Sequence, residues 1–546
     1  MTVRQIEGDF ATVVEVLRAA AVVNGEVEAY VEPATATTAR RSLTFAAWDR
    51  AADGVAGLLA RHGVTRGSVV ALMLPSSIDY VVSYAAATRL GAITSGINPR
   101  LGEAETRSIL ERTRPTVTVV DEGAGPPGPT GTVLSRASVA AATDGPPPVD
   151  VPALSGSDPV AVVWTSGTTG LPKGAVFDHD GLAAVAAGTD VFSAPGDRRL
   201  SPLPFAHVGS MTRVWDEIVH GVTTVITPTP WKAADALRII ADERITVGQG
   251  VPTQWALVLA HPDLDRVDTS TLRVAGTGAS RVPAELVAAM RDRFGVPVIV
   301  RYTSTEASLG TGTAPGDPDE VVASTVGRPV TGVELEIVGE DGRPVAPGEV
   351  GRVRLRSAAV MRGYWGGPPT GPGRAGVVYD REATAAVLDA AGWLTTGDFG
   401  TLGDDGCLRL VGRANELYIR GGYNVYPAEV EGVLSGHPAV AEVAVVAGPD
   451  PVLGEVGVAY VVPADGTAPD EDRLLEELRH AVREALADYK APDRVVVVPS
   501  LPLTSMMKVD KRCLADRAAR LPVLRPGGSR SAPPVRPPGT KGATTP

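Results

Sequence analysis

The chain has 546 residues and a formal net charge of −12, with 44% hydrophobic and 21% charged residues. That length exceeds one ordinary core, so two or more domains are expected, and the acidic balance argues against broad binding to nucleic acid or anionic membranes. Its two cysteines, Cys407 and Cys513, lie far apart and its seven histidines are scattered, which excludes a disulfide framework and zinc-ligand spacing and makes a reducing cytoplasm the expected compartment.

Met1 to Phe10 has no basic start followed by an apolar run, so no signal peptide is expected. No apolar stretch reaches the roughly 20 residues that span a bilayer. Leu43 to His62 has helical spacing and Val69 to Leu74 reads as a buried strand. Tyr80 to Leu90 reads as a helix, followed by a Gly91-Ala92-Ile93 turn leading to Asn98-Pro99-Arg100. Val160 to Trp164 is a second buried strand. Ala233 to Arg244 and Pro283 to Phe294 are helical in spacing, and Val296 to Val300 reads as a strand. This alternation predicts α/β layers. Gly366 to Gly376 reads as an exposed loop insert.

Beyond Gly412 the texture changes. Val443 to Val446, Val458 to Val462 and Val495 to Val498 read as strands, and Asp472 to Tyr489 as a charged amphipathic helix. Together they predict a compact α+β domain of about a hundred residues. Leu521 to Pro546 is rich in proline and glycine, with four basic residues and no acid. It lacks apolar residues to bury, so a disordered tail is expected. The predicted organisation is a domain over 1–412, a second over 413–520 and a tail over 521–546.

The densest chemical signal follows the Val160–Trp164 run. Thr165-Ser166-Gly167-Thr168-Thr169-Gly170-Leu171-Pro172-Lys173-Gly174 packs hydroxyls, glycines and one lysine together. Glycines let the backbone approach a ligand closely, successive N–H groups form an anion-binding nest, and Lys173 adds positive charge. The combination suits a polyphosphate; a surface turn is the alternative. It is not a Walker A loop, because Gly174 follows Lys173 where that motif needs serine or threonine.

Other blocks carry weaker local signals. In Arg301-Tyr302-Thr303-Ser304-Thr305-Glu306, an aromatic at a strand end can stack on a nucleobase. A carboxylate four residues on can hold Mg²⁺, which takes hard oxygen ligands. In Trp393-Leu394-Thr395-Thr396-Gly397-Asp398, the carboxylate can accept from two ribose hydroxyls or simply cap a turn. Gly421, Gly422, Asn424 and Pro427 suggest a tight, defined loop in the second domain. Lys508, taken alone, reads as a solvated surface lysine.

Taken together these blocks resemble the adenylate-forming superfamily of acyl-CoA synthetases, luciferases and peptide-synthetase adenylation domains. Thr165–Gly174 is similar to its phosphate loop. Arg301–Glu306 resembles Y-G-x-T-E, with Thr303 at the usual glycine, and Trp393–Asp398 resembles G-W-x-x-T-G-D. Gly412–Glu431 resembles G-R-x-x-x-x-I-x-x-x-G-x-x-V-x-P-x-E-[IV]-E, and Leu501–Lys508 resembles P-x-T-x-x-G-K with Met507 at the usual glycine. Pro204–Gly209 is similar to F-H-x-x-G, and Thr277–Ser280 to G-G-A-P. The resemblance spans roughly residues 10 to 515, with its blocks in family order.

The resemblance implies a large multi-layer α/β N-terminal domain and a small mobile α+β C-terminal domain. It implies that Thr165, Ser166, Gly167, Thr168, Thr169 and Lys173 hold phosphate, with Thr165 and Glu306 on Mg²⁺. Tyr302 packs on adenine, Thr305 touches phosphate, and Gly278, Ala279 and Thr303 border the adenine and acyl groups. Asp398 takes the ribose with support from Arg413, whose planar fork suits that work. Lys508 is the catalytic lysine, bridging the attacking carboxylate and the α-phosphate. Gly421 and Gly422 line the tunnel for a pantetheine arm, and Asn415 falls at the hinge. His207 belongs to the catalytic and acyl region, with no close carboxylate to pair an α-amine, since Asp216 is nine residues on. Met211, Trp215 and Ser308 are further lining candidates, with core packing the alternative for the first two.

The implied function is that of a carboxylate–CoA ligase using ATP, Mg²⁺ and CoA. It joins a carboxylic acid to AMP with release of pyrophosphate, then transfers the acyl group to CoA. An aryl or medium-chain acid is favoured. The alternatives are an adenylating enzyme that passes its acyl group to a separate carrier protein or an amine, and a non-catalytic acyl-nucleotide-binding protein. No nucleic acid and no membrane span are expected, and the chain is a monomer or homodimer.

Overall fold

The computed structural model describes residues 2–165, 172–280, 282–368, 377–464, 470–504 and 507–522. Ser166, Gly167, Thr168 and Thr169 of the glycine-rich stretch, most of the Gly366–Gly376 insert, and the tail from residue 523 lie outside the described residues. The chain divides into two compact units. One is Met1–Asn415 with Leu503–Asp510, and the other is Glu416–Pro502 with the segment from Lys511 onward.

In the first unit, Val117–Val120, Val69–Met73, Ile93–Gly96 and Pro159–Trp164 are parallel neighbours in an eight-stranded sheet. These short apolar runs are buried nearly throughout, the pattern of a sheet covered on both faces. The helix Ile78–Arg89 is buried along its whole length, and Ser77 caps it by accepting the Tyr80 N–H at 3.2 Å. The helix expected from Leu43 starts at Phe45. The residues before it, Arg41–Thr44, pair antiparallel with Glu28–Glu32, and Thr44 serves as the cap.

After Pro159–Trp164 the chain turns back antiparallel as Gly174–Asp178. The glycine-rich stretch therefore connects two antiparallel neighbours, and its described ends face each other. Its neck is closed by the Thr165 N–H donating to the Lys173 carbonyl at 2.8 Å, and the Lys173 N–H to Thr165 Oγ1 at 3.1 Å.

A nine-stranded sheet holds Thr223–Ile226, Arg198–Ser201, Val247–Gln249, Val274–Gly278 and Val298–Tyr302 as successive parallel neighbours. The last strand begins at Val298 rather than Val296, because Pro297 has no N–H to give to a ladder. It runs on to Tyr302, which pairs with Thr311.

A third, four-stranded antiparallel sheet is Glu334–Val338, Gly351–Arg356, Leu394–Leu402 and Leu408–Arg413. The α/β alternation expected up to this region does not include it. In Gly351–Arg356, buried Val353 and Leu355 alternate with half-buried Arg352, Arg354 and Arg356, the period-two pattern of a half-covered strand. Its register places Asp398 directly opposite Arg413.

The second unit has its own core, in which Leu474, Leu478 and Val482 of the helix Glu471–Ala485 pack with Val445, Val461 and Val430. Its sheet runs in the order Tyr423–Val425, Tyr418–Arg420, Gly454–Pro463, Val440–Asp450, with Arg494–Val497 parallel to Gly454–Pro463. The helix expected to reach Tyr489 stops at Ala485, because Leu486 is extended and Asp488–Lys490 forms a separate tight turn. Gly421 and Gly422 have φ of 56° and 90°. They form the two-residue turn between Tyr418–Arg420 and Tyr423–Val425, where both central residues must be left-handed. The architecture is thus the α/β body with a small α+β unit expected from the sequence. Among the described residues no helix is long and apolar enough to cross a membrane.

Candidate active site

The antiparallel sheet and the nine-stranded sheet meet chemically at Asp398. Asp398 is buried, at 5% exposed. Oδ2 accepts the Tyr302 hydroxyl at 2.6 Å and Oδ1 accepts Arg413 Nε at 2.9 Å. Burial and the adjacent carboxylate push the Tyr302 phenol well above its ordinary range. It therefore stays a donor at any working pH. Each Asp398 oxygen still has a lone pair to offer, so the carboxylate is oriented without being used up.

Four residues past Tyr302, Glu306 Oε1 accepts the Tyr364 hydroxyl at 2.7 Å. The Tyr364 ring carries the Lys173 ammonium 5.1 Å from its centroid. Arg112 donates to the carbonyls of Pro172 and Trp365, and its guanidinium lies 5.1 Å from the Trp164 ring centroid. Trp164 in turn donates to Ser95 Oγ at 2.9 Å. The base of the glycine-rich stretch is thus held by side chains that no local motif marked. Among the described residues there is no group of three or more metal-ligating side chains. A lone carboxylate such as Glu306 fits Mg²⁺ bound chiefly through substrate phosphates and water. Thr165 Oγ1 gives one lone pair to the Lys173 N–H and keeps another.

Lys508 lies in the segment that groups with the first unit. Leu503 and Val509 form an antiparallel bridge. The Thr504 N–H donates to the Lys508 carbonyl at 2.7 Å and the Lys508 N–H to Thr504 Oγ1 at 3.3 Å. Burial and the Arg413 charge pull the Lys508 ammonium down to about 8. Met507, at the position where glycine is usual, has φ of 59°. A left-handed backbone costs a non-glycine residue roughly 1–2 kcal/mol. Met507→Gly is therefore expected to match or exceed the wild-type adenylation rate, whereas Met507→Val falls below it, as read by steady-state kinetics.

His207 is half-buried and caps the short helix Val208–Met211, its Nδ1 accepting the Gly209 N–H at 3.2 Å. Burial and the nearby Lys508 charge pull its imidazolium down to about 4. It is neutral at physiological pH. The two shifts fix a pH profile for a reaction that needs protonated Lys508. Lys508 is half protonated at about 8, fully protonated well below that pH, and loses its proton as pH rises through it. The kcat/KM for adenylation should then fall about tenfold per pH unit on the alkaline side, with no inflection near 6.5 from His207.

Gly278 and Ala279 end the Val274–Gly278 strand. A Cβ on Gly278 would meet the Arg301 carbonyl at 2.2 Å, and Ala279 is left-handed at φ 66°, so this edge excludes side-chain bulk. Thr303 is exposed and donates to the Ser304 carbonyl at 3.2 Å. Thr305 is half-buried beside Glu306. Ser308 is left-handed at φ 57°, and its buried hydroxyl has no partner among the described residues. Met211 and Trp215 belong to the main hydrophobic core. Asp216 is fully buried, bound by Arg199 at 3.1 Å and Arg213 at 3.0 Å and by the hydroxyls of Ser193 and Thr189. Its charge is already compensated. Gly421 and Gly422 belong to the other unit.

Residues 17–365 match the family model for the AMP-binding enzyme, and residues 429–508 the model for the AMP-binding enzyme C-terminal domain. The chain is 33% identical to an indoleacetate–CoA ligase of Aromatoleum aromaticum, over 88% of this chain and 94% of that protein. It is 32% identical to a long-chain-fatty-acid–CoA ligase of Mycobacterium tuberculosis, over 92% of this chain and 97% of the relative. An anthranilate CoA ligase solved with anthranoyl-AMP superposes with a TM-score of 0.80 at 26% identity, covering 94% of this chain and 98% of that one. The chain belongs to the AMP-binding enzyme family, as an AMP-forming acid–thiol ligase.

Proposed function

We propose that the protein is an ATP-dependent carboxylate–CoA ligase for an aryl or medium-chain acid, acting with Mg²⁺ in the cytoplasm. The observation that carries this reading is the convergence of Tyr302, Asp398, Arg413 and Lys508 within one unit. Asp398, fixed by Tyr302 and Arg413, receives the ribose hydroxyls. The loop from Thr165 to Lys173 and Thr305 receive the phosphates, with Glu306 and Thr165 toward Mg²⁺. Mg²⁺, when bound, neutralises phosphate charge that the single lysine of the loop cannot.

In the first step a substrate carboxylate oxygen attacks the α-phosphorus of ATP, and pyrophosphate leaves. Negative charge grows between the attacking carboxylate and the α-phosphate, and protonated Lys508 is placed to meet it. The small unit then turns about Asn415 and brings the Gly421–Gly422 hairpin to the pantetheine arm. The CoA thiol loses its proton, its sulfur attacks the acyl carbon, and AMP departs. Water exclusion during that exchange protects an intermediate prone to hydrolysis.

Two features support the acid class. Asp216 is committed to Arg199 and Arg213, which leaves no free carboxylate in that stretch for an α-amine. Gly278 and Ala279 add no side chain larger than a methyl at this strand end, which is compatible with a flat or slender acyl group. Mass analysis of products from ATP, CoA and panels of aryl, medium-chain and α-amino acids tests this. Acyl-CoA from the first two panels is expected. A preference for α-amino acids, or acyl-AMP that ignores CoA but reacts with an amine, would overturn it.

A further inference from the structure

We propose that Tyr364 is a positioning residue for the metal and phosphate site, orienting the Glu306 carboxylate through its hydroxyl and seating the Lys173 ammonium on its ring. This rests on the reading of Glu306 as the Mg²⁺ carboxylate. Tyr364 is 4% exposed and lies in the strand Gly363–Gly367, paired antiparallel with Ala175 just past Lys173. Its backbone is fixed on both sides. The Tyr364 N–H donates to Thr384 Oγ1 at 2.9 Å, and its carbonyl accepts the Asp380 N–H at 2.9 Å. The same segment holds Glu306 by its main chain, since the Met361 N–H donates to the Glu306 carbonyl at 2.8 Å. Glu306 is thus bound at backbone and side chain by residues only three apart.

The hydroxyl donates to one carboxylate oxygen at 2.7 Å, a charge-assisted bond of the stronger kind. A carboxylate held at one oxygen presents the other in a fixed direction. Mg²⁺ tolerates little departure from octahedral geometry, so fixing that direction matters more than adding charge. The ring face attracts an ammonium at this distance, so one side chain registers the end of the phosphate loop against the metal carboxylate. A purely structural aromatic at this place would influence stability and leave the metal requirement alone.

Tyr364→Phe keeps the ring and removes only the hydroxyl. Partners of a metal ligand commonly contribute about 10–100-fold in metal affinity. The half-saturating Mg²⁺ for pyrophosphate exchange should rise by about 10-fold, with KM for the acid unchanged. Mn²⁺ binding in the presence of a non-hydrolysable ATP analogue, followed by electron paramagnetic resonance, should weaken by the same factor without turnover. In a Glu306→Gln background the Phe substitution should add nothing. Wild-type Mg²⁺ and Mn²⁺ dependence in Tyr364→Phe, with Glu306→Gln impaired, would overturn the role of Tyr364 alone. Intact Mn²⁺ binding in Glu306→Gln would overturn the Glu306 reading and this proposal with it. Tyr364→Leu should raise KM for ATP beyond the Phe variant; equal values in the two would overturn the seating of Lys173.

Discussion

Replacing Lys508 with alanine is expected to slow adenylation by about 10²–10³-fold, the scale for losing one donor aimed at transition-state charge. The reason is positional. The Thr504–Lys508 turn, closed by hydrogen bonds at 2.7 and 3.3 Å, presents a partly buried ammonium. Burial makes the charge effective, because little water is left to screen it. Thioester formation from chemically prepared acyl-AMP should be nearly unchanged, since in that step no carboxylate attacks the α-phosphorus and the bonds made and broken are at the acyl carbon. The comparison requires both half-reactions measured on the same preparation. Equal losses in the two would remove Lys508 from the role given to it.

Asp398→Ala is expected to damage both nucleotide binding and stability. The substitution leaves the Tyr302 hydroxyl, now bonded at 2.6 Å, without its acceptor in a buried place. It also releases Arg413, which is itself half exposed and recovers water. A buried donor left unmade costs about 1–3 kcal/mol, which should appear as a lower Tm. Losing the carboxylate for the ribose hydroxyls should raise KM for ATP by about 10–100-fold. Tyr302→Phe separates the two effects. It removes the hydroxyl but leaves Asp398 bound to Arg413, so most of the ATP affinity should remain. A Tyr302→Phe variant as poor in KM as Asp398→Ala would show that the tyrosine, not the carboxylate, governs nucleotide binding.

The glycine-rich stretch stands out in the sequence because its chemistry is local: ten consecutive residues carry the hydroxyls, glycines and lysine. The two-glycine hairpin at Gly421 and Gly422 was legible for the same reason. Asp398 could be found only through its motif, since its meaning comes from Tyr302 and Arg413, placed beside it by two different sheets. Tyr364 gave no local signal. In Met361-Arg362-Gly363-Tyr364-Trp365 it reads as one core aromatic among others, and its partner Glu306 is 58 positions away. Arg112 reaches Trp365 across 253 positions. The antiparallel sheet did leave a trace, the alternation of Val353 and Leu355 with three arginines, but the α/β rhythm on either side masked it. The backbone of Met507 could not be read, because methionine gives no hint of a left-handed turn.

The most direct test of the account is carboxylate-dependent exchange of labelled pyrophosphate into ATP by the purified protein with Mg²⁺ and without CoA. Exchange that requires an aryl or medium-chain acid, and falls by about 10²–10³-fold in Lys508→Ala, is the predicted result. Folded protein that binds ATP but gives no exchange with any acid class would contradict it.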